Sequence, residues 1–322
     1  MLIFIVSLRT LSLFSMTKNC LVIFVVCLIF YSCKESDKRK SNFISANSSK
    51  TIQQFPYKAN CNDQLLKDYS LFLIKLDTTV FESSTVAAKK YVELFKDQNS
   101  NTRDSAFFIF NKFYGILNNS LDDLHRKDTT IKYDSLLTDS NNHLPKLSPK
   151  LAAYHQKLKD NGFKIYMSEG DTYIGEDLDF IAKYFYDNVS EPVRDYLIQL
   201  NKEDKEGLDE DAGLTISPYK LADRTVWWEK FVQRYPDIIV TDKAKTNWKD
   251  YFDTLTGGMD NSPVVDSNDF VNSYYKAVYS HLQKAYPTSK TNILIAPYFK
   301  LLLNKQNDKA EALLMKYEKK GY

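Results

Sequence analysis

The chain has 322 residues, 43 basic against 41 acidic side chains, 14% aromatic residues, nine glycines and nine prolines. So even a charge balance excludes the basic face that phosphate backbones require, and nucleic acid is not an expected partner. Glycine and proline lie well below ordinary usage of about 7% and 5%, which argues against a fold of many short strands and tight turns and for long helices.

The chain opens with its most apolar stretch. Lys18 precedes an uncharged apolar run from Leu21 to Tyr31, and Ser32-Cys33-Lys34-Glu35-Ser36-Asp37 follows. The run has the length of a secretory h-region and is short of the roughly 20 residues that span a bilayer. Phe30-Tyr31-Ser32-Cys33 resembles the lipobox of bacterial lipoproteins, and its Ser-Cys-Lys is similar to the looser boxes of the Bacteroidota. It departs from the usual pattern in having Phe30 where Leu is common and the bulky Tyr31 beside it. The resemblance implies a signal peptide over 1–32, lipidation of Cys33 with palmitate-type acylation, and a flexible tether over 33–60. It also implies an outer membrane lipoprotein of the cell envelope, facing the periplasm or the cell surface, whose first partner is the membrane. Met16 offers a second, more compact start. An uncleaved signal anchor is the alternative reading of the same residues.

Removal of the leader takes Arg9 and Lys18 with it and leaves basic and acidic residues equal in number. Cys20 and Cys27 leave too. With Cys33 acylated, Cys61 is the one remaining thiol, so packing rather than a disulfide must hold the domain. No nucleophile signature surrounds Cys61, and a small buried apolar role fits it better.

Residues 34–60 are rich in Ser, Asn, Lys and Gln without periodicity, as a tether should be. From Asn62 the helical period begins, with Leu65, Leu66, Tyr69, Leu73 and Leu76 on one face. A second helix is expected after Ser83 or Ser84, and a third after Asn101, running through Phe107, Phe110, Phe113, Tyr114 and Leu117 to Leu121 and Leu124. Ser148-Pro149 opens a helix that stops at Asn161-Gly162. Phe163, Ile165 and Met167 then alternate with Lys164, Tyr166 and Ser168, turn at Glu169-Gly170-Asp171 and return through Thr172-Tyr173-Ile174, a short β-hairpin. Asp177 caps the next helix, Ser190-Glu191-Pro192 begins another, and Ser217-Pro218 is the strongest start in the chain. Its inner stripe is Leu221, Thr225, Trp228, Val232 and Tyr235. Thr241 should cap a helix ending at Gly257-Gly258. Helices over about 268–285 and 291–304 follow, the latter kinked or broken at Pro297, and Asp308-Lys309-Ala310-Glu311 reads as a capping box for the last. The expected fold is mainly α: an irregular multi-helix bundle with one short β-hairpin over 61–322, either whole or as two subdomains divided near 162.

No residue pattern names a reaction. The histidines 125, 143, 155 and 281 never fall at ligand spacing, no metal site is expected, and no motif calls for a cofactor. Glu169, Asp171 and Glu176 surround the hairpin turn and are the weak catalytic candidates, although Asp177 nearby is explained as a cap. The charge run from Glu203 to Asp211 reads as a solvated loop. Gly257, Gly258, Asp260 and Asn261 form a long break in dense helix, whose backbone N–H groups suit a recognition loop or anion cradle. Trp227, next to Trp228, points about 100° away from the inner stripe and suits stacking against a ligand. The expected function is therefore a membrane-anchored binding or interaction module, more binder than enzyme, contacting an envelope protein or glycan. The alternatives are an envelope glycan hydrolase using carboxylates near 169–179, and a structural component of an envelope assembly.

Overall fold

Short polar side chains decide where the helices start. In the computed structural model, which describes residues 62–128, 130, 132–137, 145–168 and 170–321, Asn62 caps α1 (Asp63–Leu73), Asn99 caps α3 (Ser100–Lys127) and Ser148 caps α4 (Pro149–Asp160). Asp177 caps α5 (Leu178–Phe185), Ser190 caps α6 (Glu191–Glu206), and Ser217 caps α7 (Pro218–Arg234). Asn272 caps α9 (Ser273–Ala285) and Ser289 caps α10 (Lys290–Leu303). Each side-chain oxygen accepts a backbone N–H that the first turn leaves without a helical partner. Three helices start without such a cap: α2 (Glu82–Phe95), α8 (Thr241–Gly257) and α11 (Asn307–Glu318). The leader, Cys33, the tether, Cys61, His143 and Glu169 lie outside the described residues.

The mainly α class stands, with corrections in detail. The β-hairpin pairs β1 (Phe163–Ser168) antiparallel with β2 (Asp171–Glu176), Ile165 opposite Ile174. Its inward face ends early, because Met167 is 58% exposed. A second, two-residue ladder pairs β3 (Asp209–Glu210) with β4 (Gly213–Leu214) inside the charge run. Leu124 is exposed, and His125 takes the buried place at the end of α3. Thr241 is not a cap: its hydroxyl accepts Ile238 N–H at 2.9 Å and donates to Tyr235 O at 2.8 Å, closing the turn before α8. The box at Asp308 does not form, since α11 already includes Asn307. Pro297 sits on the exposed face of α10, which runs unbroken past it.

In the first half α3 packs against α1, α2 and β2, and α5 packs on α2. Phe185 is the hub, its ring 4.7 Å from Tyr91, 5.0 Å from Phe107 and 4.5 Å from Phe110. The chain also bonds across residue 162. Ser84 Oγ donates to Asn161 O at 2.6 Å, and Gly162 O accepts both Tyr114 OH and Asp177 N–H. Gly162 has φ of 81°, and a Cβ there would meet the Phe180 ring at 2.4 Å, so only glycine fits. In the second half α7 packs on α8, α9 and α10, and α10 packs on α9 and α11.

Two devices hold the helix ends. The first is tyrosine. Tyr279 OH donates to Leu255 O at 2.5 Å and Tyr298 OH to Thr256 O at 2.7 Å, and both carbonyls lie in the last turn of α8, where no helical donor follows. Tyr91 OH reaches Asn188 O at 2.9 Å, just beyond α5. The second is Glu229 on α7, whose two carboxylate oxygens accept the N–H groups of Lys290 and Thr291, each at 2.7 Å. Ser289 Oγ accepts Asn292 N–H at 3.0 Å. The first three N–H groups of α10 are thereby all satisfied, two of them by a side chain from another helix.

Candidate functional site

The hairpin register separates the carboxylates. Asp171 pairs with Ser168 at the turn and Glu176 with Phe163 at the far end. Five residues of strand put them about 17 Å apart, and the odd spacing puts them on opposite faces. They do not share a cleft. Asp171 is exposed and borders a cavity of about 360 Å³ with His125, Arg126, Asp128, Tyr133, Thr172 and Tyr173. Arg126 is already held by Asp122 through two bonds of 2.9 and 2.7 Å, and lies over the Tyr173 ring. Burial pulls the His125 imidazole below its ordinary pKa, so it is neutral near pH 7.

Glu176 is different. Its carboxyl packs beside Gly115 on α3, where a Cβ would stand 3.6 Å from Oε1. Burial pushes its pKa up to about 7, while Lys243 on α8 works in the opposite direction. The sign of the effect follows. The unfolded chain releases this proton near pH 4.5 and the folded chain near 7. Between those values the native state binds the extra proton, so stability falls as pH rises through the window. The shift corresponds to about 3 kcal/mol at pH 8. Glu176→Gln is expected to flatten this slope. Urea unfolding of both proteins at pH 5 and pH 8 checks it, and equal slopes would show that Glu176 ionises normally in the fold.

The glycine loop is occupied by its own chain. Gly258 N–H donates to Thr254 O, Met259 N–H to Ser262 O, and Asn261 N–H to Ala212 O, at 3.0–3.1 Å. Asn261 Nδ2 donates to Asp211 O, and Ser262 Oγ accepts Leu214 N–H at 2.9 Å. Asn261 and Ser262 therefore clasp the β3–β4 turn, Gly258 N–H is spent on the end of α8, and Asp260 stays exposed. The charge run is likewise not a solvated loop throughout. Glu203 accepts Gln199 Nε2 at 2.6 Å, Trp228 Nε1 at 3.0 Å and Tyr251 OH at 3.0 Å. Glu206 pairs at 2.9 Å with Arg224, whose side chain is buried.

Trp227 lines a second concavity, with aromatic and charged residues around it. A groove of about 330 Å³ runs between α6 and α7. From α6 come Asp195, Ile198 and Gln199, and from α7 come Trp227, Lys230, Phe231 and Arg234, with Tyr235 closing the end. Both sets follow the i, i+3, i+4 spacing of a single helix face. Phe231 is buried and forms the floor. Trp227 is half-buried and stacks on it, with centroids 5.2 Å apart and planes 19° apart. Tyr235 follows at 5.1 Å from Phe231.

Rotamers here are fixed from behind. Trp228 stands edge-on to Trp227 at 4.8 Å, and Tyr196 packs on both Trp228 and Phe231. Gln199 is held by Glu203. The rim is polar: Asp195 lies beside the Tyr235 hydroxyl, the Arg234 guanidinium lies 5.0 Å from the Tyr235 ring, and Lys230 is exposed. A flat apolar floor with a charged rim binds by stacking and side-chain hydrogen bonds.

Sequence reasoning found Trp227 but missed Phe231, Tyr235, Asp195 and Gln199 as its neighbours. The signal for the first two was present, since 227, 231 and 235 recur every four residues. The α6 residues had none, because helix pairing is not written in either helix alone. Among the described residues no group of three or more His, Cys, Asp or Glu can hold a metal ion, and no helix is long and apolar enough to cross a membrane. No protein-family model, curated protein or solved structure matches the chain.

Proposed function

We propose that the protein is a lipid-anchored binding module of the cell envelope, tethered through Cys33, with the Trp227 groove as its recognition site. The groove carries this reading: an aromatic floor already locked by buried neighbours meets a rim of exposed charges, so a ligand is bound with little ordering cost. The anchor rests on the apolar run ending at Ser32-Cys33 and the polar stretch behind it.

Two variants test the two halves separately. Cys33→Ala is expected to accumulate as a larger precursor without acyl label. Normal cleavage and membrane retention of that variant would remove the lipoprotein half. Trp227→Ala is expected to keep its melting temperature within a few degrees while losing the molecule that the intact protein captures from its own envelope. Undiminished capture by that variant would move recognition to another face and favour a structural role in an envelope assembly.

A further inference from the structure

We propose that the protein has a second ligand site, a cavity at the start of α4 that takes a single-chain anionic lipid. The alkyl chain lies along Leu147, Leu151 and Tyr154, and the head sits among Lys132, Lys146 and Lys150. The cavity shares no residue with the Trp227 groove, and the inference does not rest on that groove.

Three observations carry it. The first is an apolar stripe left uncovered. Leu147, Leu151, Tyr154 and Leu158 follow the spacing of one helix face. Such a stripe is normally buried along its length, yet in α4 only Leu158, at the far end, is buried. Leu147, Leu151 and Tyr154 stay partly exposed and line a cavity of about 610 Å³. That volume lies within the range of pockets that enclose small organic ligands. The wall is fixed from behind, because the Tyr154 ring lies 5.7 Å from Tyr133 and 5.8 Å from Phe81, both of them buried.

The second is charge. Lys132, Lys146 and Lys150 line the cavity, and no acid does. Among the described residues none of the three takes part in an ion pair. Two acids lie close by in the chain or in space. Asp128 feels Lys150 and accepts hydrogen bonds from Thr130 N–H, Thr130 Oγ1 and Tyr133 OH. Asp134 is exposed on the 3₁₀ turn at Tyr133–Leu136, next to Lys132. Both stand outside the lining, and three cations against two acids leave the site positive. An anionic head is therefore favoured over a neutral or cationic one.

The third is the kind of cation and what accompanies it. Lysine stems extend an apolar wall while their ammonium groups stay in water, which places charge at the mouth and hydrocarbon within. The polar groups that a sugar or peptide would need are already engaged: Ser148 Oγ accepts Leu151 N–H, and Thr130 Oγ1 donates to Asp128. An ammonium is a point charge without the planar fork of arginine, so a carboxylate and a phosphate satisfy it equally. A fatty acid and an alkyl phosphate are the two sources, and the experiment separates them.

The full chain in phosphatidylcholine nanodiscs is dialysed to equilibrium against radiolabelled laurate, dodecyl phosphate, methyl laurate or acetate. Empty discs subtract what the bilayer itself takes up. Laurate or dodecyl phosphate is expected to bind at a stoichiometry of one, and whichever binds assigns the source. Methyl laurate and acetate are expected to bind at least tenfold more weakly. Lys146→Gln combined with Lys150→Gln, both at exposed positions, is expected to weaken the anion at least tenfold. Leu151→Ser is expected to do the same, and if it lowers the melting temperature, Leu147→Ser, outside the helix, takes its place. Trp227→Ala is expected to leave this binding unchanged. Neither anion held above the empty discs would overturn the site. Equal binding of methyl laurate would overturn the role of the lysines, and equal binding of acetate would overturn the role of the apolar stripe. Binding that survives both the lysine and the leucine substitutions would place the lipid elsewhere and overturn the proposal. Since Trp227→Ala reports on the groove and these variants on the cavity, the failure of either reading leaves the other standing.

Discussion

Trp228→Ala is expected to be the most damaging single truncation in the second half of the domain. The side chain is 0% exposed and packs edge-on against Tyr196 and Trp227. Its removal leaves a cavity that the surrounding helices cannot close, a loss of about 3–5 kcal/mol. It also removes a donor from the Glu203 carboxylate, which keeps Tyr251 and Gln199. Trp227→Ala, one residue away, loses a partly exposed stack and the apolar area it covers and should cost less, about 1–2 kcal/mol. Urea midpoints at one pH compare the two directly. Equal losses would mean that the inner face of α7 has been assigned wrongly. The contrast matters for function as well, since only a stable Trp227 variant can report on binding.

Glu229→Ala should follow closely. Glu229 is 4% exposed, and both of its oxygens are bonded to the start of α10. Alanine leaves the N–H groups of Lys290 and Thr291 without an acceptor in a buried place. Each orphaned group costs about 1–3 kcal/mol, so a total near 3 kcal/mol is expected. The negative charge at the helix N-terminus is lost as well, which adds to the effect. Glu229→Gln keeps one acceptor oxygen and should lose roughly half as much. Amide exchange at Lys290 and Thr291 supplies the second readout, because it should accelerate in the alanine variant before the rest of α10 does. A loss under about 0.5 kcal/mol would show that solvent reaches this helix end and replaces the carboxylate.

The starts of helices were legible where they are local events. Ser148-Pro149, Ser190 with Pro192, and Ser217-Pro218 each pair a hydroxyl cap with a proline that fits the first turn, and all three caps form. The same logic failed at Asp308 and Thr241, where a residue of the right type had other work. The Thr241 hydroxyl closes its own turn, and α11 begins one residue before Asp308. The buried carboxylates were not legible at all. Glu229 looks like an outward charge next to Trp228, and only the arrival of α10 from 61 residues away explains it. Glu203 and Glu206 sit in a run that resembles solvated charge, yet partners on α7 and α8 draw them inward. For the site, one wall of the groove was readable as an aromatic face of α7. The opposite wall was not, because the choice of α6 as its neighbour is made by the whole packing.

The abundance of tyrosine has a kinetic side. A helix end normally frays alone, since its last carbonyls have only water to lose. In α8 those carbonyls are held by Tyr279 and Tyr298, which lie 24 and 42 residues further along the chain. Tyr91 ties a carbonyl 97 residues away. Unravelling any of these ends means pulling a ring out of the core on another helix, so local breathing is converted into opening of larger units. The same bonds cannot form until distant helices have met, which makes them late events in folding and slows it relative to a simple up-and-down bundle. The ends of these helices, where a protease would first find loose backbone, are therefore places where the chain is fastened across long stretches of sequence.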